Sequence, residues 1–310
     1  MRKILSIAAL SLIGTIALAA PVWAETVIEK VARTGVLTVG TRIDTVPYAY
    51  VNDRQELVGY SIDVLNLIKQ QLEEQLGKEI TLQIVVEEEF TDRIPQIVNR
   101  EVDISCQTAF TWERDRLVDF SLSYSISGIR LLVPRDSKLD GSPDSLIGKR
   151  IGIAPNNVAE ATMKLVQPQA TLVPVQDVED GFKSLDEGKI DALAGDTVIL
   201  AGTALKRNPD NYRLTPTEDP YARYGIACMV PENDSSFLDL VNYSIVKLMQ
   251  GYLTGEKRSV EMVNRSFGPE GLVPLPPELI RDFFQTIIIT REQIPLSPNR
   301  SASNAEIKSK

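Results

Sequence analysis

Two runs, Val36-Leu37-Thr38-Val39-Gly40-Thr41 and Val58-Gly59-Tyr60-Ser61 with the apolar positions Ile62, Leu65, Ile68, Leu72 and Leu76 behind it, decide the fold. The first is a short apolar stretch that reads as a buried strand. In the second, apolar residues recur three and four apart, the spacing of one helix face. Gly77 then supplies the residue that most readily takes the left-handed conformation ending a helix. Ile80, Leu82, Ile84 and Val86 alternate as a half-buried strand, residues 92–99 suit a short helix, and 102–106 form another strand. Strand, helix, strand, helix, strand predicts an α/β fold with a mostly parallel sheet. The same rhythm restarts at 129–133 and runs through strands at 150–154, 170–175 and 190–193, with helices at 156–166, 179–187 and 196–206. Two α/β halves follow. A strand at 224–230 and helices at 235–250 and 256–267 match nothing in the second half and are expected to return to the first.

Composition bounds what such a molecule can do. The 310 residues include 33 basic and 42 acidic side chains and no histidine. A net charge of −9 argues against a nucleic-acid partner. Without histidine there is no Ser-His-Asp triad, no Cys-His pair and no histidine-bound zinc, and two cysteines cannot build a four-cysteine site. No metal and no cofactor is therefore expected. Arg2 and Lys3 precede an apolar run from residue 4 to 20, and Val22-Trp23-Ala24 places small residues where signal peptidase reads them, so residues 1–24 are expected to be a cleaved signal peptide. In an oxidising compartment Cys106 and Cys228 could pair; two buried thiols are the alternative, and sequence does not choose between them. Residues 286–310 are expected to be a disordered tail, which turns rich in Ser, Asn, Pro and Lys after Ile294.

In open α/β sheets ligands bind beyond the carboxyl ends of the strands, so the residues that follow each strand are the candidates. Arg42 follows the first strand, Arg93 begins the second helix, Arg114 follows the strand at 102–106 by a short loop, and Asp196 starts a helix. Each arginine can equally be a solvated surface charge, and Asp196 a plain helix cap. Asn156-Asn157 opens a helix whose backbone N–H groups make a generic anion site.

Gly59-Tyr60-Ser61-Ile62-Asp63, together with Thr111-Trp112-Glu113-Arg114 and Val118-Asp119-Phe120-Ser121, resembles the signature of periplasmic polar-amino-acid-binding proteins of ABC importers. Within that family Gly40-Thr41-Arg42, Arg93-Ile94-Pro95, Cys106 and Cys228-Met229 are similar to the glutamate/aspartate-binding branch. The resemblance implies the type II periplasmic binding protein fold: lobe 1 from 25–125 and 229–285, lobe 2 from 126–228, and two hinge strands between them. It implies a monomer in the periplasm that clasps an amino acid and delivers it to an ABC permease in the inner membrane.

By the same resemblance Arg114 would hold the ligand α-carboxylate and Asp196 the α-ammonium. Arg42 and Arg93 would be left for a side-chain carboxylate, which favours glutamate or aspartate unless a carboxylate of the chain, such as Asp44 or Glu89, occupies them. The sequence departs from the family pattern at several places. Ala109 replaces a hydroxyl residue and offers only its backbone N–H, the loop before Arg114 is one residue shorter, Asn157 stands where a threonine is usual, and Val178 replaces the histidine of the acidic-ligand branch. A broader acidic-plus-amide specificity stays open. Two alternatives share the scaffold: a cyclohexadienyl-type dehydratase, for which Glu113 is the nearest general acid, and an amino-acid sensing receptor.

Overall fold

The computed structural model describes residues 25–87 and 93–292. The expected signal peptide at 1–24 and most of the expected tail lie outside these. The chain opens with helix α1 (Val27–Thr34), closed at its start by a capping box in which Thr26 and Glu29 satisfy each other's backbone N–H groups. Strand β1 (Val36–Thr41) follows, then three short strands, β2 (Asp44–Thr45), β3 (Ala49–Val51) and β4 (Leu57–Val58), which form a small sheet of their own. Next come α2 (Tyr60–Leu76), β5 (Thr81–Val86), α3 (Arg93–Val98), β6 (Ile104–Ala109), the single turn α4 (Trp112–Asp115) and β7 (Asp119–Phe120). The second half contains β8 (Ser125–Pro134), β9 (Arg150–Ile153), α5 (Val158–Val166), β10 (Thr171–Pro174), α6 (Val178–Asp186), β11 (Ala192–Asp196), α7 (Thr197–Leu205) and β12 (Tyr212–Thr215). Strand β13 (Ala222–Val230) leads back to helices α8 (Ser235–Thr254), α9 (Lys257–Phe267) and α10 (Pro277–Glu292).

The long sheet runs β10-β9-β11-β8-β13-β6-β1-β5. At its two ends the strands pair in parallel, β5 and β6 with β1, and β10 and β11 with β9, as βαβ units require. The expectation of a mostly parallel sheet fails in the middle. There β8 pairs antiparallel with β11, β12 and β13, and β13 antiparallel with β6. The physical reason is that the chain enters the second half along β8 and leaves it along β13, so the two crossings run in opposite directions. They pair from Ser125↔Ile226 to Ile129↔Ala222.

Apolar side chains separate into cores on either side of that crossing. One core joins Leu37 and Val39 of β1, the stripe Val64, Leu65, Ile68 of α2, and Ile245 and Val263 of the returning helices. Others gather Ile151, Met163 and Ala192, and Phe182, Leu185 and Leu193, in the second half. Helix α10 corrects the boundary expected at 286. Phe284 is fully buried and Ile287 and Ile288 pack on the first core, so the helix continues to Glu292; burying one such side chain is worth about 1.5–3 kcal/mol.

Gly59 shows why the run before α2 must read as it does. Its φ is +130°, and a Cβ there would stand 2.3 Å from the Tyr48 carbonyl oxygen. Cys106 on β6 and Cys228 on β13 are joined in a disulfide. Closing a loop that long removes unfolded-state entropy worth on the order of 4–5 kcal/mol.

Candidate ligand-binding site

A cavity opens where β6, β8, β11 and β13 end or cross, between the two halves of the molecule. Arg93, Ala109 and Arg114 line it from the first half, and Asn157, Val178 and Asp196 from the second. Strand β6 extends to Ala109, past the end expected at 106, and this brings Ala109 to the cavity wall. Arg42 is not among the lining residues.

Arg114 sits in α4, whose start is capped by the Thr111 hydroxyl accepting from the Arg114 backbone N–H. Its guanidinium Nη1 donates to the Ala109 carbonyl at 3.0 Å, which fixes the side chain toward the cavity without supplying an anion. Burial, with Arg93 nearby, holds its pKa below the usual arginine range. A ligand carboxylate would relieve both effects, because it is an opposite charge brought to a partly desolvated cation.

Asp196 closes β11 and caps α7. Its Oδ1 accepts from the N–H groups of Val198 and Ile199 at 2.9 and 3.0 Å and from Ser127 Oγ at 2.7 Å, and its Oδ2 accepts from Tyr224 Oη at 2.7 Å. Burial pushes its pKa up, while these hydrogen bonds pull the other way. Ser127 lies on β8 and Tyr224 on β13, so both crossing strands hold the same carboxylate. Tyr48 is fully buried in the cavity wall and shares a hydrogen bond with Ser125; burial and the charge of Asp196 raise its pKa well above the ordinary tyrosine value.

The two remaining arginines have partners within the chain. Arg93 is 5% exposed and its Nε lies 2.9 Å from Oε2 of Glu87, a carboxylate 1% exposed whose Oε1 also accepts from Ser105 Oγ at 2.6 Å. Arg93 Nη1 donates to the Gln107 carbonyl at 3.2 Å and to Thr108 Oγ1 at 3.4 Å. Arg42 donates through Nε to Asp44 Oδ1 at 2.8 Å and through Nη2 to Asp44 Oδ2. Glu89 lies outside the described residues. Gln107, between these groups, is a non-glycine residue at φ +69°, held there by Thr41, Thr45 and the Tyr124 hydroxyl; such strain costs of order 1–3 kcal/mol.

Asn157 uses its side chain as the cap of α5, accepting from the Glu160 N–H at 2.8 Å, and Glu113 is exposed and not among the lining residues. Sequence reasoning missed Tyr48, Gln107, Ser127 and Tyr224. Tyr48 sits in the turn between β2 and β3 and Gln107 on β6, with no periodic signal to mark them, and Ser127 and Tyr224 meet at Asp196 only because β8 and β13 cross there. Among the described residues no cluster could hold a metal ion, and no helix is long and apolar enough to cross a membrane.

Bacterial extracellular solute-binding proteins, family 3, match residues 37–256. A glutamate/aspartate import solute-binding protein of Salmonella typhimurium is 30% identical over 230 residues, covering 72% of this chain and 75% of that one. A glutamine-binding protein of Geobacillus stearothermophilus is 30% identical over 201 residues, covering 63% of this chain and 74% of its own. Among solved structures, the substrate-binding protein of an amino acid ABC transporter superposes with a TM-score of 0.63 at 28% identity, covering 74% of this chain and 98% of that one.

Proposed function

The chain belongs to the bacterial extracellular solute-binding proteins, family 3, and we propose that it is the periplasmic, monomeric substrate-binding component of an ABC importer for an amino acid. One observation carries this reading: a cation, Arg114, and an anion, Asp196, face a single cavity from opposite halves of the molecule. Every amino acid presents an α-carboxylate and an α-ammonium a few bonds apart, and this pair is complementary to both. Arg114 offers the planar fork that a carboxylate accepts from bidentately. Asp196, pre-oriented by Ser127 and Tyr224, receives the ammonium. The relatives matched over most of the chain are named as binding proteins, which supports a carrier rather than an enzyme.

Binding both charges from opposite sides favours the closed apposition of the lobes, and that closed surface is what an inner-membrane permease would read. A thermal-shift panel of the twenty amino acids with prephenate tests the reading, because a ligand that binds only the folded state raises Tm by mass action. At least one amino acid at millimolar concentration is expected to raise Tm by several degrees. A response to prephenate alone, or to nothing in the panel, overturns the proposal.

A further inference from the structure

The cations that a second ligand carboxylate would need beyond Arg114, namely Arg93 and Arg42, have carboxylates of the chain beside them before a ligand arrives. Arg114 and Asp196 match the two charges that every amino acid carries. Of the other ionisable groups in the lining, Asp177 spends Oδ1 as the cap of α6, accepting from the Asp180 N–H at 2.8 Å. Arg93 already has the carboxylate of Glu87 beside it and donates to two oxygens of β6. Arg42, outside the lining, has Asp44. Much of the remaining wall is aliphatic: Val158, Val175, Val178, Leu193, Ile199 and Leu200.

Resting on the importer reading above, we propose that the cavity selects amino acids with an uncharged side chain, and that Glu87 sets this preference by compensating Arg93. A second ligand carboxylate would be stripped of water among aliphatic groups, opposite an arginine whose charge is already balanced. An uncharged side chain incurs neither cost. The fold makes room for the compensating group deliberately: at Gly40 a Cβ would stand 2.4 Å from Glu87 Oε1, so the glycine of β1 is what lets Glu87 lie inside. Glu87 acts through Arg93 and is a positioning residue, not a ligand contact.

Titration calorimetry of the purified protein with glutamine, methionine, leucine, glutamate, aspartate and arginine tests this directly. At least one of the three uncharged amino acids is expected to bind about 30-fold or more tightly than glutamate, aspartate or arginine. Glutamate, aspartate or arginine binding as tightly as the best uncharged ligand overturns the inference and leaves the importer reading standing. No binding by any amino acid overturns both. The role of Glu87 is read from a ratio that a purely structural role would not move. Glu87→Gln is expected to raise the affinity for glutamate relative to glutamine by about 10-fold or more, whereas Glu87→Asp, which keeps the charge, preserves the wild-type ratio. Equal weakening of both ligands by Glu87→Gln overturns its role. The wild-type ordering decides the selectivity even if Glu87→Gln does not fold.

Discussion

Arg114 and Asp196 carry opposite charges into a shared, partly desolvated space, and each is oriented by neighbours that do not cancel it. Truncating one member of a buried charge pair costs about 2–5 kcal/mol, so Arg114→Ala and Asp196→Ala are each expected to lower affinity by roughly 30-fold to several thousand-fold for every amino acid that binds. Calorimetry within a few-fold of wild type would return both residues to structural roles. A pH dependence follows from Asp196. Burial raises its pKa in the folded, ligand-free protein, so its contribution to folding is fully present below the unfolded value and is lost as pH rises through the folded value. Only the ionised form pairs with an ammonium, and the ligand therefore recovers more stability as pH rises through that range. Affinity is expected to fall as pH drops from neutral through the raised titration range of Asp196, and Asp196→Asn, though a weak binder, should show a flat profile. The place of both residues at the cavity was legible because each follows a strand end, where α/β sheets open their clefts. The partners of Arg93 and Arg42 were only half legible. Asp44 stands two residues from Arg42 and is readable as its partner, but no spacing in the sequence encodes the contact of Glu87 with Arg93.

At the scale of elements, the parts read best are those whose apolar pattern matches their burial, a continuous run for β1 and one face for α2. Strand β1 and helix α2 fall where the apolar pattern places them, and Gly77 ends the helix with its N–H on the Glu73 carbonyl. Short elements were missed: α1, whose buried face is only Val27 and Val31 one turn apart, the small sheet of β2 to β4, and β12. Helix α7 carries a feature that pattern reading could not supply. A Cβ on Gly202 would stand 2.2 Å from the carbonyl oxygen of Val46, across from the second half to the first, and Val198 of the same helix joins the first core. This is a close backbone approach between the halves. Gly202→Val is expected to hold them apart and to weaken ligand binding by about 5- to 150-fold, the equivalent of the 1–3 kcal/mol that overpacking costs. The check is a titration beside a melting curve without ligand. Unchanged affinity would show that the approach is not part of the ligand-bound state.

For the whole molecule, the two-lobed architecture was readable from the repeated strand–helix rhythm, while the antiparallel centre was not, because it depends on the direction in which the chain returns. That return also fixes what the disulfide encloses. Cys106 stands before the first crossing and Cys228 on the strand that comes back, so the whole second lobe belongs to one covalent ring. Such a ring survives a single cut. A protease that nicks an exposed loop anywhere between residues 107 and 227 should yield a product that runs as one species on a non-reducing gel and as two after thiol treatment. Two bands without reductant would show that the bond is absent from the protein in solution. Fragments held this way cannot diffuse apart, and a nicked copy retains both walls of its cavity on one molecule. The linkage makes backbone integrity of the second lobe dispensable for keeping the two halves on one molecule.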